Sequence, residues 1–221
     1  MKLKGNYYWL LLVVPLIFLI LFFVNTNEQK PLRTLPYFGK KRSLSAGDTN
    51  YHSVKSFSFT NQYNENVTDK TLAGKIYVCD FFFTTCRSIC PVMSKELERV
   101  YKEFYDNKDV MILSHTVNPE EDSVEVLMNY ASQHKVNNKQ WLFLTGDKKQ
   151  LYDLARQGYL LNAEEGNGGA EDFIHTQNFA LVDKEKHLRG FYDGTDSLEV
   201  SRLIQDMHLL LNEYTYKEKH R

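Results

Sequence analysis

The chain contains only three cysteines among its 221 residues, and this small, odd number is informative. A small secreted domain held together by disulfides needs a denser and even set of cysteines, so that class of protein is excluded. A surplus of basic residues is also missing, because 27 lysines and arginines stand against 28 aspartates and glutamates. No basic stripe of the kind that binds nucleic acid is present, and we expect no nucleic-acid partner.

One long apolar run lies near the N-terminus, at residues 8–24. It carries no charge, and its 17 residues are near the lower limit for spanning a bilayer. Lys2 and Lys4 precede it, so the positive-inside rule places residues 1–7 in the cytoplasm and the rest of the chain across the membrane. No small-residue cleavage site and no lipobox cysteine follows, which favours a retained anchor over a signal peptide. The sequence predicts a single-pass protein of the inner (cell) membrane with an extracytoplasmic, periplasmic domain.

The rest of the chain divides into three parts by composition. Residues 25–50 hold prolines, glycine and a basic triplet without periodicity, and we interpret them as a linker. Residues 51–213 alternate strand-like and helix-like segments, which predicts one folded domain. Residues 214–221 form a polar tail that we expect to be frayed. The order of the segments, βαβαβα followed by ββα, predicts an α/β fold of three layers with a central mixed sheet.

Two segments of the predicted domain have clear patterns. Residues 76–83 are almost continuously apolar, as expected for a central strand that is buried on both faces. From Pro91 onward, apolar residues recur with the spacing of one helix face, and proline suits the first turn of a helix. The other predicted strands are 54–60, 110–114, 141–144, 179–182 and 188–192, and the other predicted helices are 123–134, 148–157 and 197–212.

Cys86 and Cys90 lie where the predicted central strand ends and the predicted helix begins. Helical residues four positions apart lie on one face, with Cβ atoms roughly 5–6 Å apart. Two thiols at this spacing can bind one soft metal ion or close a disulfide. The macrodipole and free N–H groups of a helix N-terminus favour thiolates, so we expect lowered thiol pKa values. A strand followed by two cysteines at a helix start, together with the terminal ββα, is typical of a thioredoxin-like fold.

The spacing of the two cysteines narrows the chemistry. Thioredoxin-type exchange centres separate their cysteines by two residues, whereas three intervene here, which weakens that interpretation without excluding it. A radical iron–sulfur motif would need a cysteine at position 93, which is Met93. A structural zinc site would need four ligands, and the chain offers two thiolates and one histidine.

His175 is the best candidate for the third ligand. It follows a glycine-rich loop and precedes the predicted strand 179–182, and in a thioredoxin-like sheet that loop lies beside the first helix. Two thiolates and one imidazole suit copper, because sulfur holds Cu(I) and nitrogen helps to hold Cu(II). The third cysteine, Cys79, lies within the predicted central strand, and we expect both Cys79 and Met93 to be core residues.

From about Phe57 to Leu211, the sequence resembles the Sco/SenC family of copper chaperones for cytochrome c oxidase assembly. The resemblance rests on Gly74-Lys75 and on residues 80–91, 117–122 and 174–176. The chain departs from the family at Asn118, where aspartate usually precedes the proline.

This resemblance implies that Cys86, Cys90 and His175 bind a copper ion. It also implies that the protein delivers copper to the binuclear copper centre of cytochrome c oxidase, or reduces the cysteines of that centre. The implied partner is the copper-bearing subunit of the oxidase or another copper protein. Such a protein is a metallochaperone rather than an enzyme in the sense of turnover.

Other functions could use the same residues. In a membrane-tethered thiol–disulfide oxidoreductase, Cys86 would attack a disulfide and Cys90 would resolve the intermediate. A copper or redox sensor would have the same ligands as the chaperone. His175 discriminates between the first two functions, because simple dithiol exchange does not need an imidazole. A peroxidase would need a peroxide-binding threonine and arginine arrangement around its cysteine, and the sequence offers no convincing one.

Overall fold

The structure, a computed structural model, describes four parts of the chain: residues 13–19, 33–43, 49–161 and 176–220. The chain divides into two compact units, residues 1–33 and residues 34–221. In the first unit, residues 13–19 are helical. The rest of the predicted membrane span at 8–24 lies outside the described residues. Within the described parts, no helix is both long enough and apolar enough to cross a bilayer.

The second unit is built around a mixed sheet of seven strands in the order β4-β3-β7-β6-β5-β8-β9. Strands β5, β6 and β7 run parallel, and the pairs β4/β3, β3/β7, β5/β8 and β8/β9 are antiparallel. A separate antiparallel pair, β1 and β2, lies outside this sheet. The strands are β1 (Arg42–Ser43), β2 (Thr49–Asn50), β3 (Ser58–Asn61), β4 (Asn66–Thr68), β5 (Ile76–Phe82), β6 (Val110–Thr116), β7 (Trp141–Thr145), β8 (Asn178–Val182) and β9 (Leu188–Asp193).

The centre of the sheet is β5 with its neighbour β6. All seven residues of each strand are buried, as the continuous apolar run of the sequence predicts for β5. The prediction of a central mixed sheet is therefore confirmed. Strands β1, β2 and β4 were not predicted, because each is only two or three residues long and shows no periodic pattern.

The helices of the second unit begin at different kinds of cap. Ser123, Asp147 and Asp196 each accept a hydrogen bond from the first turn of their helix, which satisfies an otherwise free N–H group. The cap of α1 is Ile89, whose side chain makes no such bond. The helices are α1 (Cys90–Glu103), α2 (Val124–Gln133), α3 (Lys148–Asp153) and α4 (Ser197–Lys219).

The two faces of the sheet carry separate hydrophobic cores. On one face, buried side chains of α1, α2 and α4 pack against alternate residues of β5 and β6, such as Val78 and Ile112. On the other face, α3 and a π-helical turn (Leu154–Gly158) pack against the intervening residues, such as Cys79 and Leu113. The structure therefore has three layers, and the residues that alternate along β5 face two different environments.

A buried arginine, Arg189, contacts residues near both the first and the last part of this unit. Arg189 donates hydrogen bonds to the backbone carbonyls of Leu35 (2.7 Å) and Pro36 (3.1 Å), and it forms ion pairs with Asp183 (2.9 Å) and Glu213 (3.0 Å). Leu35 itself is buried in the core. Part of the segment that we interpreted as a linker, from residue 34, therefore packs on the domain.

Helix α4 extends beyond residue 212, where the sequence pattern predicts its end. Glu213 is buried against Arg189 and also pairs with Lys217 (2.9 Å), one helical turn further on. Tyr214 is buried and donates a hydrogen bond to Glu185. These contacts lie at the start of the last turns of α4, which ends at Lys219 rather than at residue 212.

Candidate metal and redox site

The two cysteines lie at the edge of the sheet where β5 ends and α1 begins. Cys86 closes a turn in which its N–H group donates a hydrogen bond to the carbonyl of Phe83 (3.2 Å). Cys90 is the first residue of α1, followed by Pro91 in the first helical turn, as predicted. Cys86 is partly exposed, whereas Cys90 is buried, with 4% of its surface exposed. The pair therefore combines one accessible thiol with one that faces the protein interior.

The surroundings of Cys86 favour the thiolate. Partial burial alone would raise the pKa of the Cys86 thiol, but hydrogen bonds from the Cys90 thiol and from the N–H groups of Cys90 and Ser88 outweigh this effect and lower the pKa below its usual value. The hydroxyl of Ser88 also lies 3.6 Å from the sulfur of Cys86. The N–H group of Cys90 belongs to the first residue of α1, and that of Ser88 lies just before the helix, where the positive end of the helix dipole favours an anion.

Cys90 has the opposite character. Burial, followed by its hydrogen bond to the sulfur of Cys86, raises the pKa of the Cys90 thiol to about 12. Both residues are free thiols in this structure. Cys86 is therefore the more acidic of the two thiols, and Cys90 is the thiol that holds its proton at neutral pH.

A chain of hydrogen bonds lies in the core on the same face of the sheet as Cys90. The hydroxyl of Ser114 donates to the carboxyl group of Asp80 (2.5 Å), and the indole N–H of Trp141 donates to the oxygen of Ser114 (2.9 Å). All three residues are buried. Burial raises the pKa of Asp80 to about 7, although the bond from Ser114 opposes this rise.

A second buried carboxylate, Asp122, holds the turn that leads to Cys86. It accepts hydrogen bonds from the N–H of Thr84 (3.4 and 3.3 Å to its two oxygens), from the hydroxyl of Thr84 and from the hydroxyl of Thr116. Sequence reasoning gave this residue no role, although it ends one of the stretches that resemble the Sco/SenC family. The only local signal was its position, an acidic residue between a predicted strand and a predicted helix. Acidic residues at such positions are often exposed, so the signal does not identify a buried role.

Asn118, the departure from the family pattern, lies in the same loop as Asp122. Its side-chain amide donates a hydrogen bond to Glu121 (2.9 Å), and its N–H group donates to the hydroxyl of Thr116 (2.9 Å). Its backbone carbonyl accepts from the N–H of Asp122 (2.9 Å). Asn118 therefore contributes to the internal bonding of this loop.

The two residues expected in the core are buried as predicted. Cys79 has no exposed surface and faces the core beside α3, away from Cys86 and Cys90. Burial raises the pKa of its thiol well above the usual value. Met93 is 1% exposed and packs from α1 into the core.

The predicted third ligand, His175, lies outside the described residues. Thr176 is the next described residue, and β8 begins at Asn178. Because β8 pairs antiparallel with β5, with Cys79 opposite Ala180, β8 starts at the edge where β5 ends. The structure thus brings Cys86 and Cys90 together and leaves the position of His175 a prediction.

The arrangement of a mixed sheet, an accessible and a buried thiol, and a helix N-terminus defines a thioredoxin-like domain with a dithiol site. The family model for SCO1/SenC matches residues 45–212, and the chain belongs to this family.

Three known proteins illustrate the relationship. The crystal structure of a SCO1/SenC family lipoprotein from Bacillus anthracis str. Ames shares 27% identity and a TM-score of 0.63, covering 72% of this chain and 95% of the other. A structure described as showing a disulfide switch in BsSco, a member of the Sco family of cytochrome c oxidase assembly proteins, shares 29% identity and a TM-score of 0.60, with coverage of 70% and 91%. A putative copper-binding protein of Stutzerimonas stutzeri is 24% identical over 166 residues, covering 71% of this chain and 80% of that protein.

Proposed function

We propose that this protein is a membrane-anchored copper chaperone that acts in the assembly of the binuclear copper centre of cytochrome c oxidase. Membership of the SCO1/SenC family supports this function, and so do the names of its relatives, which refer to copper binding and to oxidase assembly. The observation that carries the proposal is the pair of free thiols at the uncapped start of α1. The uncharged run at residues 8–24 supports the anchor, with the domain on the extracytoplasmic side.

In this proposal, the copper ion is the cargo, and Cys86, Cys90 and His175 hold it. The thiolate of Cys86 captures the ion at the surface, and the proton of Cys90 leaves as its sulfur joins the coordination. Three ligands leave a position open to a ligand of the receiving protein, so the ion can be passed on by exchange. The start of β8 at the edge of the sheet beside the two cysteines supports His175 as the third ligand.

The unequal thiols also favour a second function, reduction of a disulfide in the receiving protein. The thiolate of Cys86 would attack one sulfur of that disulfide, forming a mixed disulfide and releasing the other sulfur as a thiolate. Cys90, after losing its proton, would attack the sulfur of Cys86 and release the second partner thiol. Two electrons would pass to the partner, and Cys86 and Cys90 would be left as a disulfide.

Copper binding by the full chain in detergent tests the first function. We expect one copper ion per reduced chain, with a Cu(II)–thiolate absorption band. Affinity should fall at least about 100-fold in Cys86→Ser, Cys90→Ser and His175→Ala, since even the loss of a residue that only supports a metal ligand costs about 10- to 100-fold.

Two control variants match these substitutions. Cys79→Ala removes a thiol from the opposite face of the sheet, and His208→Ala removes a histidine exposed on α4. Neither should change the affinity. If His175→Ala binds copper as tightly as the wild type, and the reduced chain cleaves a disulfide, the function would instead be dithiol exchange.

A further inference from the structure

Asp122 is a buried carboxylate, with 1% of its surface exposed, and it forms no ion pair with a described residue. Burying a carboxylate is costly unless hydrogen bonds compensate for lost hydration. Here the compensation comes from two threonines, through the N–H and hydroxyl groups of Thr84 and the hydroxyl of Thr116. The carboxylate therefore joins two segments that are distant in the sequence.

The segment held by Asp122 is the turn that presents Cys86. Thr84 is a central residue of this turn, which the bond from the N–H of Cys86 to the carbonyl of Phe83 closes. The regular pairing of β5 with β6 ends just before the turn, with the N–H of Val117 bonded to the carbonyl of Phe82 (2.8 Å). Beyond that point, the contact with Asp122 takes over the role of the strand ladder in fixing the backbone.

We propose that Asp122 is a positioning residue for Cys86, acting as a clamp on the Phe83–Cys86 turn. The clamp fixes the turn that carries the sulfur of Cys86, which lies 3.6 Å from the hydroxyl of Ser88. Its value for cargo handling rests on the proposed function, whereas the clamp itself is a property of the reduced, metal-free protein.

The chemistry of the carboxylate explains why replacements should differ. Alanine would leave the N–H and hydroxyl of the partly buried Thr84, and the hydroxyl of the buried Thr116, without their acceptor. Asparagine retains one oxygen that can accept from the N–H, and its amide can donate to a threonine hydroxyl oxygen. Asp122→Asn should therefore retain much of the clamp, and Asp122→Ala should lose it.

Site-specific hydrogen exchange on the reduced, metal-free full chain tests the clamp. In Asp122→Ala, we expect the amides of Thr84 and Cys86 to exchange at least about tenfold faster, since a bond to a charged acceptor is lost. The amide of Leu113, in the core of β6, should change far less. Asp122→Asn should give an intermediate rate. Thr84→Val, which removes only the hydroxyl, provides a milder variant should Asp122→Ala fail to fold.

Asp206→Ala is the matched control, because Asp206 is also a buried carboxylate and accepts a hydrogen bond from Tyr192 (2.9 Å) on another part of the domain. It should lower the melting temperature without selectively accelerating exchange at Thr84 and Cys86. Equal acceleration of turn and core amides in Asp122→Ala, or rates within twofold of the wild type, would overturn the clamp.

A copper titration of the same variants separates this proposal from the proposed function. We expect the Cu(II)–thiolate band of Asp122→Ala to broaden or shift, with the Asp206→Ala band unchanged. If the wild-type chain binds no copper, the proposed function fails, and hydrogen exchange alone still decides the clamp. If copper binds but exchange at the turn is unaffected by Asp122→Ala, only the clamp fails.

Discussion

The two faces of the central sheet bury titratable groups from the same pair of strands in different ways. On the face beside α1, Asp80 is the end of a hydrogen-bonded chain through Ser114 to Trp141. On the face beside α3, His115 lies against aromatic rings, including that of Phe81, which stacks on it at a centroid distance of 5.0 Å. Its Nε2 atom is buried and has no hydrogen-bond partner among the described residues.

On both faces, burial favours the neutral form of the titratable group. The pKa values shift in opposite directions, because Asp80 is an acid and His115 is a base. Burial raises the pKa of Asp80 to about 7 and lowers the pKa of His115 to about 4. The face beside α1 thus contains a hydrogen-bonded polar chain, whereas the face beside α3 is largely apolar and aromatic around His115. Strand β5 therefore contains one unreactive thiol, that of Cys79 in the core, and is followed within four residues by the more acidic thiol of Cys86.

The largest expected contrast between the faces is the reactivity of their cysteines. With iodoacetamide at pH 7.5, Cys86 of the reduced chain should be alkylated at least about a thousandfold faster than Cys79, which becomes accessible only through large-scale opening of the domain. Cys90 should react at an intermediate rate, because it is buried and its thiol pKa is raised to about 12. Mass spectrometry of quenched samples measures all three rates. Comparable labelling of Cys79 and Cys86 in the folded chain would contradict the two-face description, and urea-unfolded chain gives the reference rates.

The second contrast concerns Asp80. Its carboxyl group holds a proton in the native state up to about pH 7, whereas the unfolded chain releases it near pH 3.8, so this group's stabilising contribution is complete below pH 3.8 and is lost as pH rises to about 7. Asp80→Asn removes this loss. Relative to the wild type, the free energy of unfolding of the variant should therefore rise by roughly 4 kcal/mol between pH 4 and pH 8. Urea unfolding at both pH values measures the difference, and parallel pH profiles would refute it.

The third and smallest contrast concerns His115, whose contribution to stability increases with pH, whereas that of Asp80 decreases. His115 is neutral in the native state down to about pH 4 but takes up a proton near pH 6.5 in the unfolded chain, so its contribution to stability is present above pH 6.5 and is lost as pH falls to about 4. His115→Phe should reduce the acid sensitivity of the chain by roughly 3 kcal/mol over this range. The double variant with Asp80→Asn should have a pH profile nearly parallel to that of the wild type between pH 4 and pH 7, because the two contributions change in opposite directions and nearly cancel there. A His115→Phe chain as acid-sensitive as the wild type would show that the histidine is hydrated rather than dry.

Local patterns account for the parts of this molecule that the sequence predicted well. The apolar run of β5, the proline at the start of α1 and the apolar spacing along that helix each depend on residues that are neighbours in the chain. The placement of Cys86 and Cys90 at one junction follows from these same signals, and so does the burial of Met93.

Contacts between distant residues account for what the sequence could not provide. Asp122 bonds to Thr84 across 38 positions, and Arg189 bonds to Leu35 across 154. Neither partner can be identified from spacing or composition, because an isolated acid or arginine looks the same whether it is solvated or buried. The sequence does not predict the turns of α4 beyond residue 212 for this reason, since the first of their residues is the acidic Glu213, which is buried against Arg189.

The chain from Trp141 through Ser114 to Asp80 also gives the protein an optical reporter. Trp141 is one of two tryptophans, and the other is Trp9. In a Trp9→Phe chain, all indole emission comes from a ring whose N–H is one hydroxyl away from the carboxyl group of Asp80. Ionisation of that carboxyl group changes the electric field at the ring, so the colour of the emitted light follows the proton in the core on the cysteine-bearing face without any added label.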